Sequence, residues 1–144
     1  MATITAANVQ FTISVPQVFA APIPLQGFAT DDAFATERVE PAEVVLGVDG
    51  IASAAFIPFL SKTIIALQAD SPSLFMFDAW LAAQVAAQDI YLASAVILYP
   101  SISKSFALSN GTLTGLVQFP GAKKILQPSS FEITWQSIVP STTL

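Results

Sequence analysis

The sequence predicts a mainly β protein, a β-sandwich or barrel of about eight to ten strands with one flanking helix at about residues 72–88. Two observations support this class. Short runs that alternate apolar and polar residues recur along the chain and are bounded by proline and glycine, as strands are. Only one stretch repeats apolar residues at helical spacing. The length of 144 residues is typical of one domain, so we expect residues 1–144 to form a single unit.

The first part of the chain contains three short strand candidates. Val9–Val15 alternates apolar and polar residues until Pro16 ends the run. Val18–Leu25 is extended but carries two prolines, which favours an edge strand. After a turn, Ala33–Val39 predicts a third strand. Residues 1–8 are small and polar and predict a flexible or swapped arm.

A hairpin is predicted around Asp49-Gly50. This dipeptide tolerates the positive φ angles of a two-residue hairpin turn, and Gly47 precedes it. Apolar residues lie on both sides of the turn, which favours two paired strands: Val44, Leu46 and Val48 before it, and Ile51 and Phe56 after it.

The net charge of the protein is concentrated in the same region. Residues 31–49 contain one base, Arg38, and six acids: Asp31, Asp32, Glu37, Glu40, Glu43 and Asp49. The remaining four acids are balanced by four lysines, so the formal net charge of −5 belongs to this segment. We therefore interpret the acidic hairpin as the place where electrostatics matter.

One helix is predicted after a strand at Ser61–Gln68. Ser71 is expected to cap it and Pro72 to occupy its first position, where a missing amide costs nothing. An apolar stripe follows at Leu74, Phe77, Leu81 and Val85, with Trp80 at its margin. The apolar run at 74–87 contains Asp78 and is shorter than the roughly 20 residues that span a bilayer, so we expect no membrane insertion.

The C-terminal part predicts more strands. Asp89–Tyr99 has strand character, and Ser103–Phe119 contains two runs joined by Asn110-Gly111, a strong hairpin signal. A last pair of strands is predicted at Lys123–Gln127 and Phe131–Val139, bounded by prolines.

The composition predicts an obligate homo-oligomer. Hydrophobic residues make up 53% of the chain and charged residues only 10%, where about 25% charged is typical. The mean hydropathy is +0.66. So apolar a chain is expected to hide surface against other copies; a monomer with a surface rich in Thr, Ser and Gln is the alternative.

Several classes of chemistry are excluded or disfavoured. The chain has no cysteine and no histidine, which excludes disulfides, the usual zinc sites and a Ser-His-Asp triad. A carboxylate pair at Asp31/Asp32 or Glu40/Glu43 lacks an apolar pocket signature, and the same acids lack the spacing of a calcium loop. We therefore expect no enzyme, no catalytic or metal site and no cofactor. The acidic pI of about 4.2 argues against binding DNA through its phosphates.

The order of several short motifs resembles the tail tube proteins of tailed bacteriophages. The motifs are Gly27-Phe28, Asp31-Asp32-Ala33-Phe34, an acid at Glu37 or Glu40, Gly47-Val48-Asp49-Gly50, Ser71-Pro72-Ser73 before a helix, and Phe119–Lys124 followed by Phe131 and Trp135. The resemblance covers about residues 9–139. After Gly50 the sequence departs from it, since Ile51–Phe56 is apolar where charged residues are expected.

This resemblance implies a structural subunit that forms hexameric rings, which stack into a tube with an acidic lumen that conducts DNA into the host without binding it specifically. It implies sheath, tape-measure and baseplate proteins as further partners, assembly in the bacterial cytoplasm and a place in the tail of the virion. Alternative functions are a tail terminator or connector ring, and a surface adhesion or carbohydrate-binding β module that uses Tyr91, Trp80 or Trp135.

Overall fold

Nine strands and one α-helix account for most of residues 9–28 and 34–142, the parts of the chain that the computed structural model describes. The described elements are β1 (Gln10–Ser14), β2 (Ile23–Pro24), β3 (Phe34–Thr36), β4 (Ala42–Leu46), β5 (Ala52–Phe56), β6 (Ser61–Leu67), α1 (Leu74–Ala87), β7 (Ala93–Tyr99), a 3-10 turn (Pro100–Ile102), β8 (Lys104–Leu116) and β9 (Ser129–Thr142). The mainly β fold with one helix is as predicted. The arm predicted at residues 1–8 lies outside the described residues.

Seven strands form one antiparallel sheet in the order β2-β1-β7-β8-β9-β6-β3. The sheet is curled, because strands far apart in this order meet across its concave side. Phe11 in β1 and Phe34 in β3 are separated by four strands, yet their ring centroids are 5.1 Å apart. The result is a half-barrel with β2 at one edge and β3 at the other, and β4 and β5 pair only with each other.

The helix covers one end of the half-barrel. Met76, Phe77 and Trp80 are fully buried, and the Phe77 ring stacks on Phe131 of β9 with centroids 4.0 Å apart. The indole N–H of Trp80 donates to the Tyr91 carbonyl at 3.0 Å. The predicted stripe was therefore misplaced: Trp80 is at the centre of the buried face, and Val85 is exposed.

The predicted helix start was also displaced. Ser73 occupies the N-cap position, and Pro72 precedes the helix and is exposed. Ser71 does not cap the helix; its hydroxyl donates to the Gln26 carbonyl and accepts from the Ser73 amide. The Ser73 hydroxyl in turn accepts from the Gln26 amide at 2.8 Å. The hydrogen bonds of Ser71 and Ser73 to Gln26 join the start of the helix to the loop after β2. The two hydroxyls therefore make long-range contacts where a local helix cap was predicted.

The hairpin predicted around Asp49-Gly50 is formed by β4 and β5, but its turn has three residues and not two. The Gly47 amide donates to the Ile51 carbonyl, and the Gly50 amide donates to the Gly47 carbonyl. Only Gly50 has a positive φ, +82°, whereas a two-residue Asp-Gly turn needs it at Asp49 as well. Asp49 instead accepts the Ile51 amide through its carboxylate at 3.1 Å.

Replacing Gly50 with valine is expected to destabilise this hairpin locally by about 1–2 kcal/mol, because a β-branched residue is strained at positive φ. Space is not the obstacle, since a Cβ at Gly50 would meet nothing within 4 Å. Amide hydrogen exchange should become faster across residues 42–56 and stay unchanged in β8 and β9. Gly50→Asn, which tolerates positive φ, is the control. Equal protection of the hairpin in Gly50→Val and wild type would contradict this account of the turn.

The hairpin predicted at Asn110-Gly111 does not exist, because both residues lie inside the continuous strand β8. Asn110 has a φ of +52°, and the register with β7 slips by one residue beside it, which is a β-bulge. Gly111 faces Trp135 of β9; a Cβ there would lie less than 3.0 Å from three atoms of the indole. Asn110 thus adopts the positive φ of a bulge, and Gly111 leaves room for the Trp135 indole. A tight turn favours the same two residue types, which is why the sequence predicted one.

The C-terminal strands also differ from the prediction. Residues 123–127 form a loop with one isolated bridge between Ala122 and Leu126, and β9 runs from Ser129 through Pro140. Pro140 is tolerated within the strand because β6 ends at its Ser61–Trp135 pair. Beyond that pair β9 has only β8 beside it among the described strands, so one side of its backbone needs no partner.

Candidate assembly surface

The β4–β5 hairpin, residues 42–56, stands apart from the sheet and is called the arm below. Every residue of β4 and β5 is exposed on both faces of the ribbon. Its apolar side chains are therefore open to solvent: Val44 and Leu46 are 65% and 72% exposed on one face, and Val45 is 59% exposed on the other. Apolar side chains on both faces of a ribbon are typical of a segment that packs against another molecule.

The arm is held by backbone bonds at its two ends. At its base the Ile57 amide donates to the Pro41 carbonyl at 2.8 Å, and at its tip Gly47 pairs with Ile51. The chain leaves the sheet after β3 and returns to it at β6 in the same place, because the Glu37 amide donates to the Lys62 carbonyl beside the start of β6. The arm therefore projects from the end of the sheet where Ser61 pairs with Trp135.

The described acids of the predicted acidic hairpin are spread along the chain from the β3–β4 connection to the turn of the arm. Glu37 and Glu40 are exposed in the connection between β3 and β4, Glu43 is exposed in β4, and Asp49 lies in the turn. Asp31 and Asp32 lie outside the described residues. In the described part of the chain no three acids stand close enough together to hold a metal ion.

A second exposed apolar surface lies at the other end of the sheet. The loop between β8 and β9, residues 117–128, is called the basic loop because it carries Lys123 and Lys124 and no acid. Its apolar side chains Phe119 and Ile125 are 76% and 75% exposed, and Val117 and Leu126 are exposed as well. Sequence reasoning took residues 123–127 for a strand, and therefore missed this surface.

The loop is folded by its own backbone bonds. The Lys123 amide donates to the Ile125 carbonyl, and the Gln127 amide donates to the Gly121 carbonyl at 2.8 Å. Neither lysine has an ion-pair partner within the described residues, where Lys62–Glu132, at 3.7 Å, is the one salt bridge. The loop thus offers two unpaired cations on an apolar background.

A small apolar cavity of about 160 Å³ lies at the concave side of the sheet. Its lining residues are Phe34, Ala35, Thr36, Thr63, Ile97, Tyr99, Phe106, Leu108 and Ile138. The Thr63 hydroxyl is buried there without a hydrogen-bond partner among the described residues. Burial raises the pKa of the Tyr99 hydroxyl above its ordinary value. No carboxylate, lysine or arginine is among the residues that line the cavity.

The two tryptophans that a carbohydrate-binding module would offer to a sugar are both fully buried. Trp80 lies on the buried face of α1 beside Phe77, and Trp135 lies against Gly111. In addition, no helix within the described ranges is both long and apolar enough to cross a lipid bilayer.

Three solved structures share this fold along almost the whole chain. The anti-feeding prophage baseplate, solved by cryo-EM with six-fold symmetry, contains a chain with a TM-score of 0.59 and 13% identity, covering 99% of this chain and 98% of that one. The tube-terminating cap of the same prophage contains a chain with a TM-score of 0.61 and 11% identity, covering 99% of this chain and 93% of that one. The extended sheath–tube complex of an extracellular contractile injection system, PVC, contains a chain with a TM-score of 0.59 and 9% identity, covering 98% of this chain and 93% of that one. At these identities the likeness establishes the fold alone.

Family membership follows from sequence. No curated protein matches the chain, but one family model, described as "Tail fiber protein gp32", matches residues 2–139. The predicted resemblance to phage tail tube proteins is thus supported at the level of a tail protein, while the family description names a fiber. Since the match spans nearly all of the 144 residues, the chain belongs to the tail fiber protein gp32 family.

Proposed function

We propose that this protein is a structural subunit of a tail tube, in which hexameric rings stack around a bore that conducts DNA. The observation that carries the proposal is the arm, a ribbon with apolar side chains exposed on both faces. Such a ribbon is stable in water only when another molecule covers it, and a polymer of identical subunits provides that cover at every position.

The edges of the sheet support ring formation. β2 has only β1 beside it, and β3 has only β6. Both edge strands are short, at two and three residues, and a neighbouring copy in a closed ring would cover the few backbone groups that they leave unpaired. Closing a ring of subunits edge to edge removes these open edges. The chains that share this fold come from a baseplate, a tube cap and a sheath–tube complex, which favours the same kind of assembly.

The acids that precede the arm are the best candidates for the wall of the bore. Sequence reasoning placed all six acids there, but Glu43 and Asp49 are carried on an apolar ribbon that is poorly suited to line a water-filled channel. Residues 31–40 contain Asp31, Asp32, Glu37, Glu40 and one base, Arg38. Six copies would place a charge of about −18 in each ring, which repels DNA phosphates and lets DNA slide.

Reversing two of these charges is expected to slow DNA passage while rings still form. Glu37→Lys with Glu40→Lys makes the local net charge of residues 31–40 positive, so phosphates would be held by the wall and not repelled. The measurement is the rate of DNA ejection in vitro, which should fall at least about tenfold at low salt and recover as salt is raised. Asp70→Lys with Asp78→Lys, both exposed and far from the arm in sequence, is the control. Unchanged ejection in the first variant would contradict a bore formed by these acids.

A second candidate is a single ring at the end of a tube. It is favoured by the anti-feeding prophage chains, which belong to a baseplate and to a tube-terminating cap. Copy number distinguishes the two functions. Quantitative mass spectrometry of purified tails should find copies of a tube subunit that increase in proportion to tail length. A constant number equal to one ring would support the cap or baseplate function and overturn the tube.

A further inference from the structure

We propose that the arm of one copy packs onto the basic loop of the next copy along the tail axis, with Glu43 and Asp49 facing Lys123 and Lys124. The proposal rests on the tube function, and it names the partner surface that the arm occupies. The occupant of the basic loop is a second copy of this chain, for three reasons given below.

The first reason is charge complementarity. The arm, residues 42–56, contains two acids and no base, and the basic loop, residues 117–128, contains two bases and no acid. All four side chains are exposed, and none forms a salt bridge within the described residues. Each surface therefore carries the charge that the other one lacks, and pairing them leaves no net charge at the contact.

The second reason is apolar complementarity. The arm exposes Val45 on the face that carries Glu43, and Val48 and Ile51 on either side of Asp49 in the turn region. The basic loop exposes Phe119, Ile125 and Leu126. Both surfaces place their charges among apolar side chains, which is the arrangement of an interface with an apolar centre and a polar rim. Joining them would cover two of the largest exposed apolar regions of the described chain in one contact.

The third reason is the position of the two surfaces. The arm leaves the β6–β9 ladder at its Ser61–Trp135 end, and the basic loop leads into β9 at its Leu67–Ser129 end. Six residue steps of strand separate these ends, a distance of about 20 Å. The two surfaces thus point away from each other in one copy and can meet only between copies. Such a head-to-tail contact uses two different patches and propagates along an axis, as stacking requires.

Charge reversal tests the contact. The loop variant carries Lys123→Glu and Lys124→Glu. The arm variant carries Glu43→Lys and Asp49→Lys. In a tube made of either variant alone, like charges would face each other at the contact. Each variant alone is expected to need at least about tenfold more protein to form tubes by electron microscopy and pelleting. An equimolar mixture should form tubes near the wild-type concentration, because each reversed arm meets a reversed loop and each native arm meets a native loop. Without that recovery the pairing is overturned.

Two controls separate this contact from other effects. Lys104→Glu reverses one charge outside both surfaces and breaks no described salt bridge, so it should leave the tube-forming concentration unchanged, whereas Lys123→Glu alone should raise it. Asp49→Asn keeps an oxygen that can accept the Ile51 amide, and it should raise that concentration less than Asp49→Lys does. If wild-type protein forms tubes and both reversed variants do so equally well, the contact is wrong and the tube function stands. If wild-type protein forms neither rings nor tubes, the tube function itself fails.

Discussion

Replacing Gly111 with alanine is expected to lower the free energy of unfolding by about 3 kcal/mol, at the upper end of the usual cost of overpacking a core. A Cβ at this position would lie less than 3.0 Å from three atoms of the Trp135 indole. The indole cannot easily move aside, because Trp135 is fully buried and its backbone is paired to β8 and β6. Urea denaturation should detect the loss, and the melting temperature should fall by roughly 10 °C.

Gly115 provides the matched control for this prediction. It lies in the same strand, and a Cβ there would meet only Glu132 at 3.6 Å, an ordinary contact. Gly115→Ala should therefore change stability by no more than about 0.5 kcal/mol. In a double-mutant cycle, Trp135→Phe should cost less in the Gly111→Ala background than in wild type, since the smaller ring relieves the clash. Equal stability of Gly111→Ala and wild type would contradict the proposed contact.

Removing the arm is expected to abolish assembly and leave the fold intact. Residues 42–56 can be replaced by Asn-Gly, which closes a two-residue turn between Pro41 and Ile57, already joined by a hydrogen bond. No described sheet strand pairs with the arm, so the free energy of unfolding should stay within about 0.5 kcal/mol at dilutions where both proteins are monomeric. Sedimentation velocity should show monomers at concentrations where wild-type protein forms large particles.

A gentler variant shows which property of the arm is needed. Replacing the large apolar residues of the arm with threonine keeps the β propensity of the ribbon and removes its apolar surface. These residues are Val44, Val45, Leu46, Val48, Ile51 and Phe56. This variant should also remain monomeric, because the apolar surface drives the contact. Assembly of the shortened protein at the wild-type concentration would show that the arm has no part in it.

Local signals predicted much of this fold. The alternation at residues 9–15 and 61–68 gave β1 and β6, the prolines near residue 23 marked an edge strand, and the glycine after Asp49 marked the arm. These features depend on residues that are neighbours in the chain. The composition also predicted exposed apolar surface, and the arm and the basic loop both display it.

The errors came from contacts between distant residues. Asn110-Gly111 has the conformational preferences of a turn, but Trp135, 24 positions away, uses the glycine as a place to pack. Ser71 has the sequence signature of a helix cap, but its hydroxyl donates to the Gln26 carbonyl. Lys123–Gln127 was predicted as a strand because it lies between the Pro120-Gly121 turn and Pro128, but these residues form part of a loop in which Ile125 and Leu126 are exposed. Pairwise contacts of this kind leave no local signal.

The central claim is that copies of this chain cover one another's exposed apolar surfaces in a stacked tube. Cryo-EM of the purified wild-type protein at high concentration tests it most directly. The account predicts hollow tubes of hexameric rings, with residues 42–56 of each subunit lying on residues 117–128 of a subunit in the next ring. Single monomers at every concentration, with the arm still open to solvent, would contradict it.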